Sequence, residues 1–254
     1  MEQVEEQGKV VLQETVRINR FLAMAGVSSR RAAEELVRSG EVEVNGTVVT
    51  DLATKVTPYK DTVTVSGKNV SAAQKFIYVL LHKPKDVITT VSDEKDRRTV
   101  MDLVSVRERI YPVGRLDRNT SGVLLLTNDG PLAARLMHPS NEVVKSYHVS
   151  LDKTLDNAHA EKLANGVHLE DGKTAPCQLD IVPGTKSREV VIHIHEGKNR
   201  QVRRMFESLG YEVEKLHRTV YAGLTLSGLG RGRWRFLTDR ELRSLRRAAG
   251  ITAE

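Results

Sequence analysis

Near Phe76 the apolar residues of this chain change rhythm, and that change limits the folds open to it. Before it, helical spacing dominates. Ile18, Phe21, Leu22 and Ala25 recur every three or four residues, and Gly26 stops that helix. Ser28 or Ser29 caps a second helix with Ala32, Ala33, Leu36 and Val37 as its apolar positions, and Gly40 closes it. "EVEVNGTVV" then alternates about Asn45-Gly46, which predicts a hairpin, and "TVTVS" at 62–66 predicts another strand. Residues 15–66 therefore read as a small domain of two helices and a short sheet. Residues 1–14 read as a mobile tail, and the small, polar stretch "GKNVSAAQK" at 67–75 reads as a linker.

From Phe76 onward strand patterns outnumber helices. "FIYVLLHKP" is a strand stopped by Pro84, and "GVLLLTND" is a buried one. "KSYHVSL", "REVVIHIHEG", "KLHRTVYAGLTL" and "RGRWRFLT" follow as strands. Between and after them come helices at "GPLAARLMHPS", at "TLDNAHAEKLANG" with Thr154 as its cap, at "KNRQVRRMFESLG" and at "DRELRSLRRAAG". Strands and helices do not alternate strictly. Residues 76–254 therefore predict an α+β domain with a mixed, mostly antiparallel sheet and flanking helices.

Charge adds a functional hint. Lys and Arg number 39 against 33 Asp and Glu, a formal net charge of +6. The excess is local: residues 198–247 hold thirteen bases and five acids, whereas residues 1–14 hold four acids and one base. A basic surface suits a polyanion. Cys177 is the single cysteine, so neither an internal disulfide nor a cysteine pair for zinc is available; it reads as a small buried hydrophobe. His193 and His195 share a strand face but show no third ligand, and no metal is expected. No apolar run approaches the ~20 residues of a membrane span, and the N-terminus has no signal core. A cytoplasmic protein, with monomer as the default, is the expectation.

Two constellations invite chemistry. In the first domain Asn19, Arg20, Ser28, Arg30, Arg31 and Lys55 crowd a helix pair, as a phosphate-binding surface or as a solvated face. In the second, "YPVGRLDRNTSGVLLLTNDG" sets Asp117 between Arg115 and Arg118, just ahead of a buried strand. A loop salt bridge would account for that acid. So would an acid that works on an anionic substrate.

The first of these stretches, "VRINRFLAMAGVSSRRAAEELVRSGEVEVNGTVV", resembles the S4-like RNA-binding domain. The second, "GRLDRNTSGVLLLTNDG", resembles the signature of the pseudouridine synthases that act on ribosomal RNA, the branch of small-subunit synthase A and large-subunit synthases B, E and F. "LHKPKDVITTVSDEKDRRTVMDLV", "VKSYHV" and "EGKNRQVRRMF" agree with the same family, in order. The resemblance implies isomerisation of one uridine to pseudouridine in ribosomal RNA, with no cofactor; 23S rRNA is the first expectation and 16S rRNA its alternative. It implies that Asp117 is the catalytic carboxylate, attacking the ribose or taking a proton from it. Tyr147 would stack on the flipped base and Arg203 would pair with the aspartate. Arg115 would hold the RNA, with Arg118, Lys145, Lys198 and Arg200 as further RNA contacts beside Arg20, Arg30 and Arg31. Leu125 and Leu126 suit a pocket wall or a strand core equally. The alternative is a non-catalytic RNA-binding factor in ribosome assembly, which has no use for an acid in a basic cleft.

Overall fold

The computed structural model describes residues 15–71 and 75–251; the expected tail at 1–14 lies outside them. The chain divides into two compact units, Met1–Phe76 and Ile77–Glu254.

In the first unit, β1 (Val16–Arg17) leads into α1 (Ile18–Met24), and α2 (Arg30–Arg38) follows. Ser29, rather than Ser28, is the cap: its Oγ accepts from the Ala32 N–H at 3.2 Å. β2 (Val42–Val44) and β3 (Thr47–Val48) form the expected hairpin. Asn45 and Gly46 both take positive φ, +53° and +78°, as a two-residue turn of this twist requires. β4 (Lys55–Val56) pairs with β1, a ladder too short to show as periodicity. β5 (Val63–Val65) pairs with β2 and with β6 (Lys68–Val70). Part of the expected linker is thus a strand. Lys68 and Asn69 are polar because β6 is an edge, and Val70 still packs against the core of Ile18, Phe21, Leu22, Val37 and Val42.

The second unit opens with β7 (Tyr78–Lys83), β8 (Tyr111–Pro112) and β9 (Thr120–Thr127). Then come α3 (Gly130–Met137), β10 (Lys145–Leu151) and α4 (Asn157–Ala164). The short pair β11 (His168–Leu169) and β12 (Gly172–Lys173) precedes β13 (Gln178–Ile181), β14 (Glu189–Ile194) and α5 (Gln201–Glu207). β15 (Val213–Tyr221), β16 (Leu224–Thr225), β17 (Trp234–Phe236) and α6 (Asp239–Ala248) complete it. The cap of α4 is Asp156 and not Thr154: its carboxylate accepts from the N–H groups of Ala158 and His159.

One nine-stranded sheet, in the order β13-β14-β10-β15-β9-β7-β17, organises this unit, with β16 beside β15 and β8 beside β9. β15 and β9 run parallel and the other pairs are antiparallel. Strand alternation sends Val79, Leu81, Leu124, Leu126, Val149 and Ile192 into one core. Leu125 and Leu126 are fully buried in the centre of β9. No helix among the described residues is long and apolar enough to cross a membrane.

Candidate active site

Asp117 lies on the loop between β8 and β9, and the loop is pinned through its main chain. The Asp117 carbonyl accepts from the Thr120 N–H at 3.0 Å, which tightens the turn into β9. Thr89 Oγ1 donates to the Leu116 carbonyl at 2.7 Å. The central clamp is Lys83, at the end of β7 and fully buried. Its ammonium donates to the carbonyls of Pro84, Asp117 and Thr120 at 2.9–3.0 Å and of Arg118 at 3.3 Å. Burial, helped by the charge of Arg218, pulls this ammonium down to about 8 against the opposing pull of Asp117 and Asp86. The Asp117 side chain is half-buried, while Arg115 and Arg118 on either side are exposed. Arg118 turns away to Asp86, with its Nε at 3.3 Å.

Arg203 comes to the same loop from α5. It is 9% exposed, donates to Val213 O at 2.7 Å and reaches Asn119 O at 3.4 Å. Burial and the neighbouring Arg200 lower its guanidinium pKa, and Asp117 acts in the opposite sense. No ion pair within 4 Å joins it to Asp117 among the described residues. The anticipated direct pair is therefore replaced by a grip on the loop backbone two residues further on. Arg204, next in sequence, is committed elsewhere by a two-pronged bond to Asp171 at 2.8 and 2.9 Å.

Tyr147 stands on β10, mostly buried, directly opposite Arg218 of β15. Arg218 pairs on its other side with Gly122 of β9, at φ +126°; a Cβ there would sit 2.2 Å from the Arg218 carbonyl oxygen. Glycine is thus required where the signature motif runs beside the cationic strand. Lys145 begins β10 and donates to Val143 O at 2.9 Å; burial, then Arg218, lower its ammonium to about 8.

The remaining candidates are spread out. The Lys198 ammonium is engaged by the carbonyls of Asp171, Gly172 and Lys173 at 3.1–3.2 Å, so it secures the β11–β12 turn. Arg200 is exposed and reaches Glu207 at 3.4 Å. In the first unit Arg20, Arg30, Arg31 and Lys55 are exposed, whereas Asn19 is buried and donates to Glu34 at 2.8 Å, which withdraws it from any RNA surface. Cys177 donates to Leu163 O, and burial pushes its thiol up to about 11. His193 is bonded to Ser146 and lies 3.3 Å from Asp180; no cluster of metal-ligating side chains occurs among the described residues.

The residues that sequence reasoning missed are Lys83 and Arg218. A signal existed for both. Lys83 alternates with Val79 and Leu81, and Arg218 with Leu216, so each charge falls on the inward face of its strand. An inward cation in such a pattern marks either a satisfied structural group or a site.

Comparison with known proteins places the chain in a family. Residues 16–59 match the S4 domain and residues 77–208 match the RNA pseudouridylate synthase family. Ribosomal large subunit pseudouridine synthase B of Bacillus subtilis is 46% identical, over 92% of this chain and 96% of that protein. The dual-specificity RNA pseudouridine synthase RluF of Escherichia coli is 34% identical, over 90% of this chain and 77% of that one. A crystal structure of a pseudouridylate synthase superposes with a TM-score of 0.66 at 27% identity, covering 91% and 99% of the two chains. The ordered motifs look most like those of synthase B within their branch, and the 46% identity agrees. With an S4 domain ahead of the mixed sheet and its Asp117 loop, the chain belongs to the RNA pseudouridylate synthase family.

Proposed function

We propose that this enzyme converts one uridine of large-subunit ribosomal RNA to pseudouridine, as a cytoplasmic monomer. The 46% identity to a synthase named for the large subunit supports that choice of RNA. The observation that carries the site is the pinned loop: a half-buried carboxylate, held by Lys83 through its own carbonyl, on the loop into β9, whose Gly122 and the Tyr147 of β10 flank Arg218 on its two sides. Such a fixed group suits a reaction in which the target base must leave the RNA stack before the sugar can be reached. Asp117 acts on the ribose, Tyr147 stacks on the base, and Arg203 holds the loop from the side of α5. Arg115, with Arg118, Lys145 and Arg200, faces the RNA backbone, and the exposed Arg20, Arg30 and Arg31 give the S4 domain an RNA contact of its own.

The test uses ribosomal RNA tritiated at the uracil 5-position. The wild type should release tritium without added metal or cofactor. Asp117→Asn should lower release by roughly a thousandfold or more and still bind RNA. Normal release by the Asn variant would remove Asp117 from the mechanism.

A further inference from the structure

Among the described residues, the buried cations Lys83, Arg203 and Arg218 have no carboxylate within 4 Å, and of the three only Arg218 also has a buried donor without an acceptor. Arg218 is 3% exposed. Its Nε donates to Val123 O at 2.8 Å, and its guanidinium lies 4.7 Å over the Tyr221 ring. Its Nη2 is buried with no acceptor, and no described carboxylate lies within 4 Å of it. Leaving a buried guanidinium uncompensated is strongly destabilising, so a fold normally gives it an acid. This fold gives two-pronged carboxylate partners to the more exposed Arg204 and Arg235. To Arg218 it gives cations instead: Lys83 and Lys145 are near enough for its charge to act on both. Tyr147 stands directly across the β10–β15 ladder.

We propose that Arg218 is a catalytic residue that binds the carbonyl edge of the flipped uracil and stabilises the base as an anion. This rests on the placement of the base against Tyr147. When the C1′–N1 bond breaks, its electron pair stays with the base, whichever way Asp117 acts on the sugar. The negative charge then spreads over N1 and the two carbonyl oxygens. The base turns, C5 forms the new bond to C1′, the proton on C5 leaves and N1 takes one up. No oxidant or reductant enters. A guanidinium with a buried donor, Nη2, that lacks a protein acceptor is preorganised for charge that exists only during this exchange. Its fork can follow the ring from one carbonyl oxygen to the other as the base rotates.

A purely structural clamp, tying β15 to β9 through Val123 O, is the competing account. The two separate on the leaving base. Fluorine at C5 withdraws electrons, so 5-fluorouracil departs as an anion with less help. Single-turnover cleavage of the glycosidic bond is measured in ribosomal RNA transcribed with uridine or with 5-fluorouridine. Arg218→Met should lower the uridine rate by about 10²–10³-fold. Its loss on 5-fluorouridine should be at least about tenfold smaller, and Arg218→Lys should fall between wild type and Met on uridine. Equal losses on both bases, or a wild-type rate in Arg218→Met, would overturn the proposal. If the Met variant does not fold, the Lys variant must show the same selective deficit on uridine, and an unselective one overturns the proposal. Asp117→Asn is run in parallel. Retained turnover there would sink the placement of the site itself; a dead Asn variant with an unselective Arg218 loss sinks only the role of Arg218.

Discussion

Replacing Gly122 with alanine tests how the sheet builds this site. At φ +126° a side chain is strained wherever it points. Here it points at backbone: the added Cβ would lie 2.2 Å from Arg218 O, 2.5 Å from Arg218 N and 2.8 Å from Arg218 C. A carbon–oxygen contact settles at about 3.3 Å, so β9 and β15 must part by about 1 Å. Their ladder holds only the pairs Leu216–Thr120, His217–Ser121 and Arg218–Gly122, and the parting strikes its last rung. The conformational strain costs about 1–3 kcal/mol. Overpacking against an element that cannot swing away adds about 1–3 kcal/mol. A loss of about 2–6 kcal/mol is a large share of the ~5–15 kcal/mol that holds a protein folded. Gly114→Ala is the control: its φ is +73° and a Cβ there meets nothing within 4 Å. It should cost only the left-handed penalty, about 1–2 kcal/mol. Urea unfolding followed by Trp234 fluorescence measures both. Equal losses in the two variants, within about 0.5 kcal/mol, would mean that the β9–β15 approach is soft and the reasoning wrong.

The other perturbations are simpler. Burial first, then His82, Arg231 and His148, depress the His217 imidazole to about 4 from its ordinary 6.5. Between those values the unfolded chain carries a proton that the folded chain refuses, so stability falls as pH drops through that window, by at most about 1.4 kcal/mol per pH unit. His217→Gln should flatten this slope in urea midpoints taken from pH 4 to 7, and an unchanged slope would assign it to other groups. Lys83→Met leaves the carbonyls of Pro84, Asp117, Arg118 and Thr120 without their shared donor. A loop displaced by about 1 Å should cost roughly a hundredfold in tritium release, and wild-type release would show that the Asp117 loop holds itself. Charge reversal of Arg30 and Arg31 should weaken RNA binding and reduce the steepness of its salt dependence, by about one unit of slope per lost phosphate contact, with single-turnover rates at saturation unchanged. Unaltered affinity would return α2 to the status of a solvated face.

What the sequence made legible follows the range of the interactions. Asn45-Gly46 could be read because a two-residue turn is local chemistry, and Ser29 could be read to within one residue for the same reason. Thr154 misled because cap-forming residues lie two apart in "TLD", and only geometry selects Asp156. Residues 68–70 misled because an edge strand needs no apolar alternation; Val70 is its sole anchor to the core. In the site, Asp117 was visible through its motif. Its expected partner was not in direct contact, because the distance between Arg203 and Asp117 is set by where α5 docks on the sheet, which no local pattern encodes.

The buried cations make the same point more sharply. Lysine and arginine default to the surface, so a sequence reader assigns Lys83 to a strand end and Arg218 to an RNA-facing stretch. Both are instead inside, and for different reasons. Lys83 is satisfied: four carbonyls surround one ammonium, and the result is a rigid loop. Arg218 is unsatisfied: a donor is buried without an acceptor, on a strand held against β9 only because residue 122 lacks a side chain. A protein gains nothing in stability from the orphaned Nη2, whatever the Nε bond to Val123 O contributes. Its retention is explained if the missing acceptor arrives with the substrate, and the difference between the two cations then separates the residue that builds the site from the one that works in it.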